Sequence, residues 1–308
     1  MRIFVTGATG ALGRHLVPEL VEAGHNVTAT TRSQTKIAQL RAAGAEPVVV
    51  NGLDRDAVIA AVLAADPDVI VHEMTALAGM RSLRKLDQTF SATNELRTRG
   101  TDNLLAAAAQ AGTRRFVAQS NSFVYARTGG PVKTEEDPLD SRPVPSAART
   151  IAAMKYVDVT VPQSVPEGIV LRYGGFYGPG ASDEMFEIVR KRQFPVVGGG
   201  TGIWSFIHTA DAADATLAAI ERGTAGAYNI VDNDPAAVAD WLPYLAEVLG
   251  AKPPLRLPAW LARPLAGEFV VTQMTEARGC SNEKARKELG WEPRYASWRD
   301  GFRTLVSN

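Results

Sequence analysis

Residues 2–22 read Arg2-Ile3-Phe4-Val5-Thr6-Gly7-Ala8-Thr9-Gly10-Ala11-Leu12-Gly13-Arg14-His15-Leu16-Val17-Pro18-Glu19-Leu20-Val21-Glu22, and three local signals follow one another in that stretch. Ile3 to Thr6 is a short apolar run that predicts a strand. A glycine cluster breaks it. Leu12, Leu16, Val17, Leu20 and Val21 then recur at helical spacing until Gly24, the expected left-handed residue closing a helix. In a strand–turn–helix unit, glycines allow a tight turn, let backbone N–H groups approach a pyrophosphate, and let helix and sheet pack closely; the helix N-terminus adds a partial positive charge. The reading is a dinucleotide site, against the alternative of a turn that only connects two elements. No lysine follows Gly13 as a Walker loop would require, which disfavours a nucleoside triphosphate.

The alternation continues outward. Val27 to Thr31 and Pro47 to Val50 read as strands, Asp54 caps a helix carrying Val58, Ile59, Val62 and Leu63, and Val69 to Val71 is a fourth strand. A long helix from about Thr93 to Ala111, a strand Arg115 to Ser120, a helix near Ala147 to Val159 and a strand Ile169 to Arg172 follow. Strands separated by helices imply right-handed crossovers, so the expected fold is α/β, a Rossmann-type doubly wound parallel sheet. After Arg172 the pattern loosens: Gly174, Gly175, Gly178, Pro179 and Gly180 break the chain, a charged helix begins at Asp183, and Gly198-Gly199-Gly200 follows. Four prolines between Lys252 and Pro264 predict irregular structure there, and the last helices begin near Ser281 and Ser297.

Composition excludes several classes. The 308 residues are 45% hydrophobic and 21% charged, with 33 Lys+Arg against 33 Asp+Glu. That balance supplies no field for a polyanion and predicts no nucleic-acid partner. The lone Cys280 leaves neither a disulfide nor a thiolate metal site, so no metal is expected and a reducing, cytoplasmic setting is. No stretch approaches the roughly 18 apolar residues of a membrane span, and none is expected.

The end of the second strand bears on which dinucleotide binds. An Asp or Glu about 20 residues beyond the glycines hydrogen-bonds a ribose 2′-hydroxyl. Here the string is Thr30-Thr31-Arg32-Ser33, and Arg32 fits a 2′-phosphate. The expected cofactor is NADP(H), with NAD(H) as the alternative; the plain reading of Arg32 is a solvated charge opening the next helix.

The segment Thr6-Gly7-Ala8-Thr9-Gly10-Ala11-Leu12-Gly13 resembles the extended short-chain dehydrogenase/reductase family, also called the NAD-dependent epimerase/dehydratase family. Three further segments share the resemblance: Leu171-Arg172-Tyr173-Gly174-Gly175-Phe176-Tyr177-Gly178-Pro179-Gly180, Phe206-Ile207-His208-Thr209-Ala210-Asp211, and Ser281-Asn282 with Leu289-Gly290-Trp291-Glu292-Pro293. By that resemblance the sheet gains a strand at Tyr228 to Val231. The dinucleotide-binding unit is 1–173 with 206–231 returning to it, and a smaller substrate domain is assembled from 174–205 and 232–308. Gly7, Thr9, Gly10, Ala11, Leu12 and Gly13 would hold the pyrophosphate, Asn51 and Gly52 would edge the adenine, and Met74, Thr75 and Ala76 would face the ribose. Tyr173, Gly174, Gly175 and Phe176 would flank the nicotinamide. A homodimer through the helices 93–111 and 147–159 is a further implication.

The chain departs from the family where the proton chemistry is done. Most members carry Tyr-x-x-x-Lys on one helix, a spacing that puts both side chains on one face. Counting back from Lys155 puts Ile151 at the tyrosine; aligning through Asp158 makes the pair Thr150 and Met154. Neither register supplies it. The segment Ser120-Asn121-Ser122-Phe123-Val124-Tyr125 resembles the family's SSxxVY, with Asn121 where the serine usually stands. Ser120, Ser122 and Lys155 are the catalytic candidates, each with a bland alternative as strand cap or surface lysine. Tyr125 and Trp204 are the substrate-side candidates. Trp204 stands where nucleotide-sugar members place an arginine for a diphosphate, and an indole suits an apolar or aromatic ring instead. His72 reads as a core histidine, and His208 with Asp211 as a joint between domains. The expected activity is an NADP(H)-dependent oxidoreductase of a small, partly apolar or aromatic molecule. A nucleotide-sugar epimerase or dehydratase, and a non-enzymatic NADP(H) sensor, are the alternatives.

Overall fold

The computed structural model describes residues 1–77 and 85–306. Seven strands, β1 (Arg2–Thr6), β2 (Asn26–Thr31), β3 (Glu46–Val49), β4 (Val69–His72), β5 (Arg115–Asn121), β6 (Glu167–Tyr173) and β7 (Gly226–Ile230), pair in parallel in the order β7-β6-β5-β4-β1-β2-β3. The chain winds outward from β1 in one direction, then returns to start again at β4 on its other side. Such a reversal opens a crevice at the carboxyl ends of the strands.

Alternation along each strand sends side chains to two faces, and both are covered. Ile3, Val5, Val71, Val117 and Leu171 pack against α1 (Gly13–Glu22) and α5 (Thr209–Arg222). Phe4, Ile70, Phe116 and Val170 pack against α2 (Arg55–Ala65), α3 (Thr101–Ala111) and α4 (Ala148–Ser164) through Val58, Val62, Leu104, Val157 and Val161. A second core gathers Phe186, Val196, Phe206, Trp241, Leu245, Met274, Trp298 and Phe302. Residues 283–291, expected in the substrate domain, pack instead on the first core through Ala285, Leu289 and Trp291. Cys280 is buried and free.

Three elements differ from the sequence reading. The single long helix expected from Thr93 is interrupted: a helix Ser91–Glu95 leads into a turn of π-helix, Leu96–Gly100, before α3 begins. Helix α4 runs past Pro162 to Ser164, with the proline two residues from its end and one backbone donor missing from the ladder there. The proline-rich segment is regular at its end: Ala259–Ala266 is a helix, with Pro258 at its N-cap and Pro264 in its last turn.

Among the described residues, no helix is long and apolar enough to cross a membrane, and no group of three or more His, Cys, Asp or Glu could hold a metal ion.

Candidate active site

A cavity of about 1310 Å³ opens at the strand carboxyl ends. Its floor is the loop between β1 and α1: Gly7, Thr9, Gly10, Ala11, Leu12 and Gly13 all line it. Two of these glycines have no substitute. Gly7 has φ +74°, and a Cβ there would lie 2.2 Å from the Glu73 carbonyl oxygen; at Gly13 it would lie 2.5 Å from Ala8. Arg32 lines the same cavity, and so does Arg14, which the sequence reading passed over although it directly follows the third glycine. A glycine cradle at a helix N-terminus, with two guanidinium groups on the same cavity, fits a dinucleotide bearing an additional phosphate.

Thr75, Ala76, Tyr173, Gly174, Gly175 and Phe176 also face the cavity. Asn51, Gly52 and Met74 do not line it. Asn51 Oδ1 accepts the Leu53 N–H at 3.2 Å, and Gly52 is closed in by Met74, whose Sδ would lie 2.3 Å from a Cβ at that glycine. These residues shape the turn before α2 rather than the cavity wall.

The catalytic candidates separate. Ser120, at the end of β5, lines the cavity, but its hydroxyl donates to the buried carboxylate of Asp158. Ser122 turns away, into a separate small cavity that it shares with Tyr125. Lys155 is not at the cavity either; its Nζ donates to the Asp140 carbonyl at 3.3 Å. The residues of α4 that face the cavity are Thr150, Ile151 and Met154. Both candidate tyrosine positions, Thr150 and Ile151, therefore face the cavity, while of the two candidate lysine positions Met154 does and Lys155 does not.

Tyr125 is likewise no wall of the large cavity. Its hydroxyl donates to Asn229 Oδ1 at 2.7 Å and accepts from Arg172 Nη1 at 2.6 Å, which makes it a buried tie between β6 and β7. Trp204 does face the cavity, held by its indole N–H on the Gln273 carbonyl at 2.9 Å and packed against Phe123 and Trp241. His72 is a core residue, its Nε2 on the Leu96 carbonyl and the Thr101 hydroxyl, and burial lowers it to about 4. His208 caps α5, and Asp211 accepts the backbone N–H groups of Arg294 and Tyr295, tying the two parts of the chain together.

One acidic group was missed. Glu73 follows β4, lines the cavity, accepts the Tyr173 hydroxyl at 3.1 Å on Oε1, and has no partner on Oε2 among the described residues. Its signal was an acidic residue directly after four buried strand residues. Burial raises it to about 8, so it keeps its proton at neutral pH. A carboxyl whose folded value lies above its unfolded one binds more protons when folded, so its stabilisation is complete below the unfolded value and is lost as pH rises through the folded one. The cofactor-free protein should therefore lose on the order of a few kcal/mol between about pH 4.5 and 8 from this group. Urea unfolding of Glu73→Gln across that window should show a correspondingly flatter profile; an unchanged slope would remove Glu73 as its source.

Similarity to known proteins points the same way. Residues 3–231 match the model of the NAD dependent epimerase/dehydratase family. A Streptomyces protein named 3-diazoavenalumate denitrifying reductase is 45% identical, covering 98% of this chain and 99% of its own. A Stigmatella aurantiaca protein, 4-hydroxy-2-methyl-3-oxo-4-farnesyl-3,4-dihydroquinoline-1-oxide ketoreductase, is 30% identical over 96% of this chain and 92% of its own. In fold, the human epimerase family protein crystallised with NADPH superposes with a TM-score of 0.75 at 21% identity, each chain covered over 100%. The Thermus thermophilus UDP-glucose 4-epimerase complexed with NAD gives 0.75 at 24% identity, over 98% of this chain and 97% of that one. With the glycine cradle, the strand order and the family match all in agreement, the chain belongs to the NAD dependent epimerase/dehydratase family and is an NAD(P)-dependent enzyme of oxidoreductase or epimerase type.

Proposed function

We propose that the protein is an NADP(H)-dependent reductase of a small, partly aromatic acceptor, and that this acceptor takes up hydride without a proton from a tyrosine. The observation that carries the reading is the helix face across the cavity: Thr150, Ile151 and Met154 stand there, so neither register of the family's pair puts a tyrosine or a lysine on it, while the glycine cradle lines the same cavity. The dinucleotide, when bound, supplies the hydride. The loop Gly7–Gly13 and the α1 N-terminus would hold its pyrophosphate, Arg32 and Arg14 its 2′-phosphate, and Trp204 with Phe123 would pack the acceptor ring.

The Streptomyces relative's name supports a specific acceptor class, a diazo compound. At an arenediazonium carbon, the aromatic form of that class, hydride forms the new C–H bond as the C–N bond breaks and the bonding pair leaves with dinitrogen, so cation and hydride give arene and N2. No proton is consumed, so a site without an acid loses nothing. A nucleotide-sugar substrate is disfavoured because Trp204 stands where the family resemblance expects the arginine that pairs with the sugar's diphosphate.

The test is NADPH oxidation with an arenediazonium salt, read against the protein-free rate, with the cofactor's deuterium followed into the product. Protein-dependent turnover with label on the former diazo carbon is the expected result; no acceleration over the protein-free rate would overturn the diazo reading. NADPH should also bind more tightly than NADH, and Arg32→Ala should narrow the difference by roughly 1.5 to 3 kcal/mol. Equal dissociation constants for the two cofactors in the wild-type protein would refute that preference.

A further inference from the structure

Arg97 is a buried cation that neither the cofactor cradle nor the fold explains. It stands on the π turn, is 4% exposed, and lines the large cavity. Its Nε and Nη1 have no hydrogen-bond partner among the described residues. Asp158 is the carboxylate whose charge it feels, but that carboxylate is already engaged by the Arg172 Nε and the Ser120 hydroxyl. Burial lowers Arg97 to about 10, which leaves it charged at neutral pH. Asp158 is thereby committed to Arg172, and the Arg97 guanidinium lines the cavity with no hydrogen-bonded counter-ion among the described residues.

The backbone is arranged to hold Arg97 there. The Leu96 carbonyl accepts the Thr101 backbone N–H across the wider turn with His72 Nε2 3.2 Å away, and the Thr101 hydroxyl donates to the Arg97 carbonyl at 2.7 Å. A π turn costs a helix regular hydrogen bonding and is found disproportionately at functional sites. A buried, unpaired guanidinium is unfavourable until an anion meets it. The cofactor's phosphates have their own cations in Arg14 and Arg32, beside the glycine loop. Arg97 lines the same cavity, but its π turn packs against α4 and it lies close enough to Asp158, the partner of Ser120, to feel its charge, which puts it at the α4 face with Ser120.

We propose that Arg97 receives an anionic oxygen of the acceptor, a carboxylate or phenolate, and so restricts the enzyme to aromatic acceptors that carry such a charge. The proposal rests on the reductase reading for the name "acceptor", but the binding site itself does not depend on turnover. A planar fork of N–H donors matches a carboxylate bidentately, and an aromatic anion places its ring toward the apolar wall formed by Phe123 and Trp204.

The experiment measures binding, with the protein saturated with NADPH so that the phosphate cations are occupied. Calorimetry compares 4-hydroxybenzoate with its near-isosteric neutral amide, 4-hydroxybenzamide, neither of which is an acceptor. Wild-type protein should bind the carboxylate at least about tenfold more tightly than the amide. Arg97→Met should lose that preference while amide and NADPH affinities stay within about twofold, and Arg97→Lys should retain part of it. Equal affinities in wild type, no measurable carboxylate binding, an unchanged preference in Arg97→Met, or a loss of NADPH affinity in that variant would each overturn the proposal. If Arg97→Met does not fold, the wild-type ratio and the Arg97→Lys variant decide. Failure of the reductase reading looks different: the carboxylate preference persists, and no acceptor is reduced.

Discussion

Thr150→Tyr combined with Met154→Lys should raise NADPH-dependent reduction of a simple aryl ketone by about 10²- to 10⁴-fold over wild type, the usual contribution of a positioned proton donor. Both positions line the cavity and lie one turn apart on α4, so the new lysine stands beside the new phenol and lowers its pKa. Thr150 now donates to Asp87 Oδ1 at 2.8 Å and accepts from Asn94 Nδ2 at 3.1 Å; tyrosine cannot keep both contacts, and a stability loss of about 1 to 3 kcal/mol is expected alongside the gain. Turnover of a diazo acceptor should not rise, since that reaction consumes no proton, and this contrast separates restored acid catalysis from a general improvement of the site. Ile151→Tyr is the matched control. It sits one turn before a natural lysine, yet Lys155 reaches the Asp140 carbonyl rather than the cavity, so the control should gain little. A larger ketone rate from Ile151→Tyr than from the double variant would show that the register through Lys155 is the working one.

That register could not be read from the sequence, and the reason is physical. The spacing of a helix fixes which residues share a face, but two faces one residue apart each offered a plausible pair, Ile151 with Lys155 and Thr150 with Met154. What separates them is packing at the lysine position: Asp158, one turn beyond Met154, is drawn inward by Arg172 at the end of β6, and Met154 faces the cavity with it, while Lys155 does not, although Thr150 and Ile151 both do. The glycine loop behaves in the opposite way. Its conformation is local, since positive φ at Gly7 and the contact of Gly13 with Ala8 need only the strand before and the helix after, so the loop and the parallel, doubly wound character of the sheet were legible, and most of the residues read as cofactor contacts do line the cavity. Glu73 and Arg97 were passed over because a charged residue on a buried face reads as an anomaly until the cavity it faces is known. Arg97 lies one turn before the buried Thr101 and two before the buried Leu104, and that spacing was the available signal.

Asp158→Ala should destabilise the protein by about 3 to 5 kcal/mol, the cost of leaving a buried cation without its partner. Arg172 Nε lies 2.5 Å from Asp158 Oδ1, with both side chains almost wholly buried. Nη1 of the same guanidinium reaches the Tyr125 hydroxyl, which reaches Asn229, so a single carboxylate on α4 anchors a chain of polar contacts running through β6 to β7. Removing it strands Arg172 and deepens the isolation of Arg97. Arg172→Met should be comparably damaging, because it leaves the carboxylate buried with only the Ser120 hydroxyl as a close partner. The combination Asp158→Leu with Arg172→Met removes both charges at once and should cost clearly less than the two single losses added together, as expected where desolvation offsets much of what an ion pair contributes. Lys155→Ala, one helix turn before this network and held only by the Asp140 carbonyl, should change stability by less than about 1 kcal/mol. Tyr125→Phe belongs with the network: it deletes the hydroxyl between Arg172 and Asn229, should lower stability by about 1 to 3 kcal/mol, and should leave the chemical step intact. Urea unfolding of the five variants gives the ordering. If Tyr125→Phe unfolded like wild type but lost turnover with NADPH affinity unchanged, the tyrosine would be acting on the substrate and the small cavity beside Ser122 would have to open during the reaction.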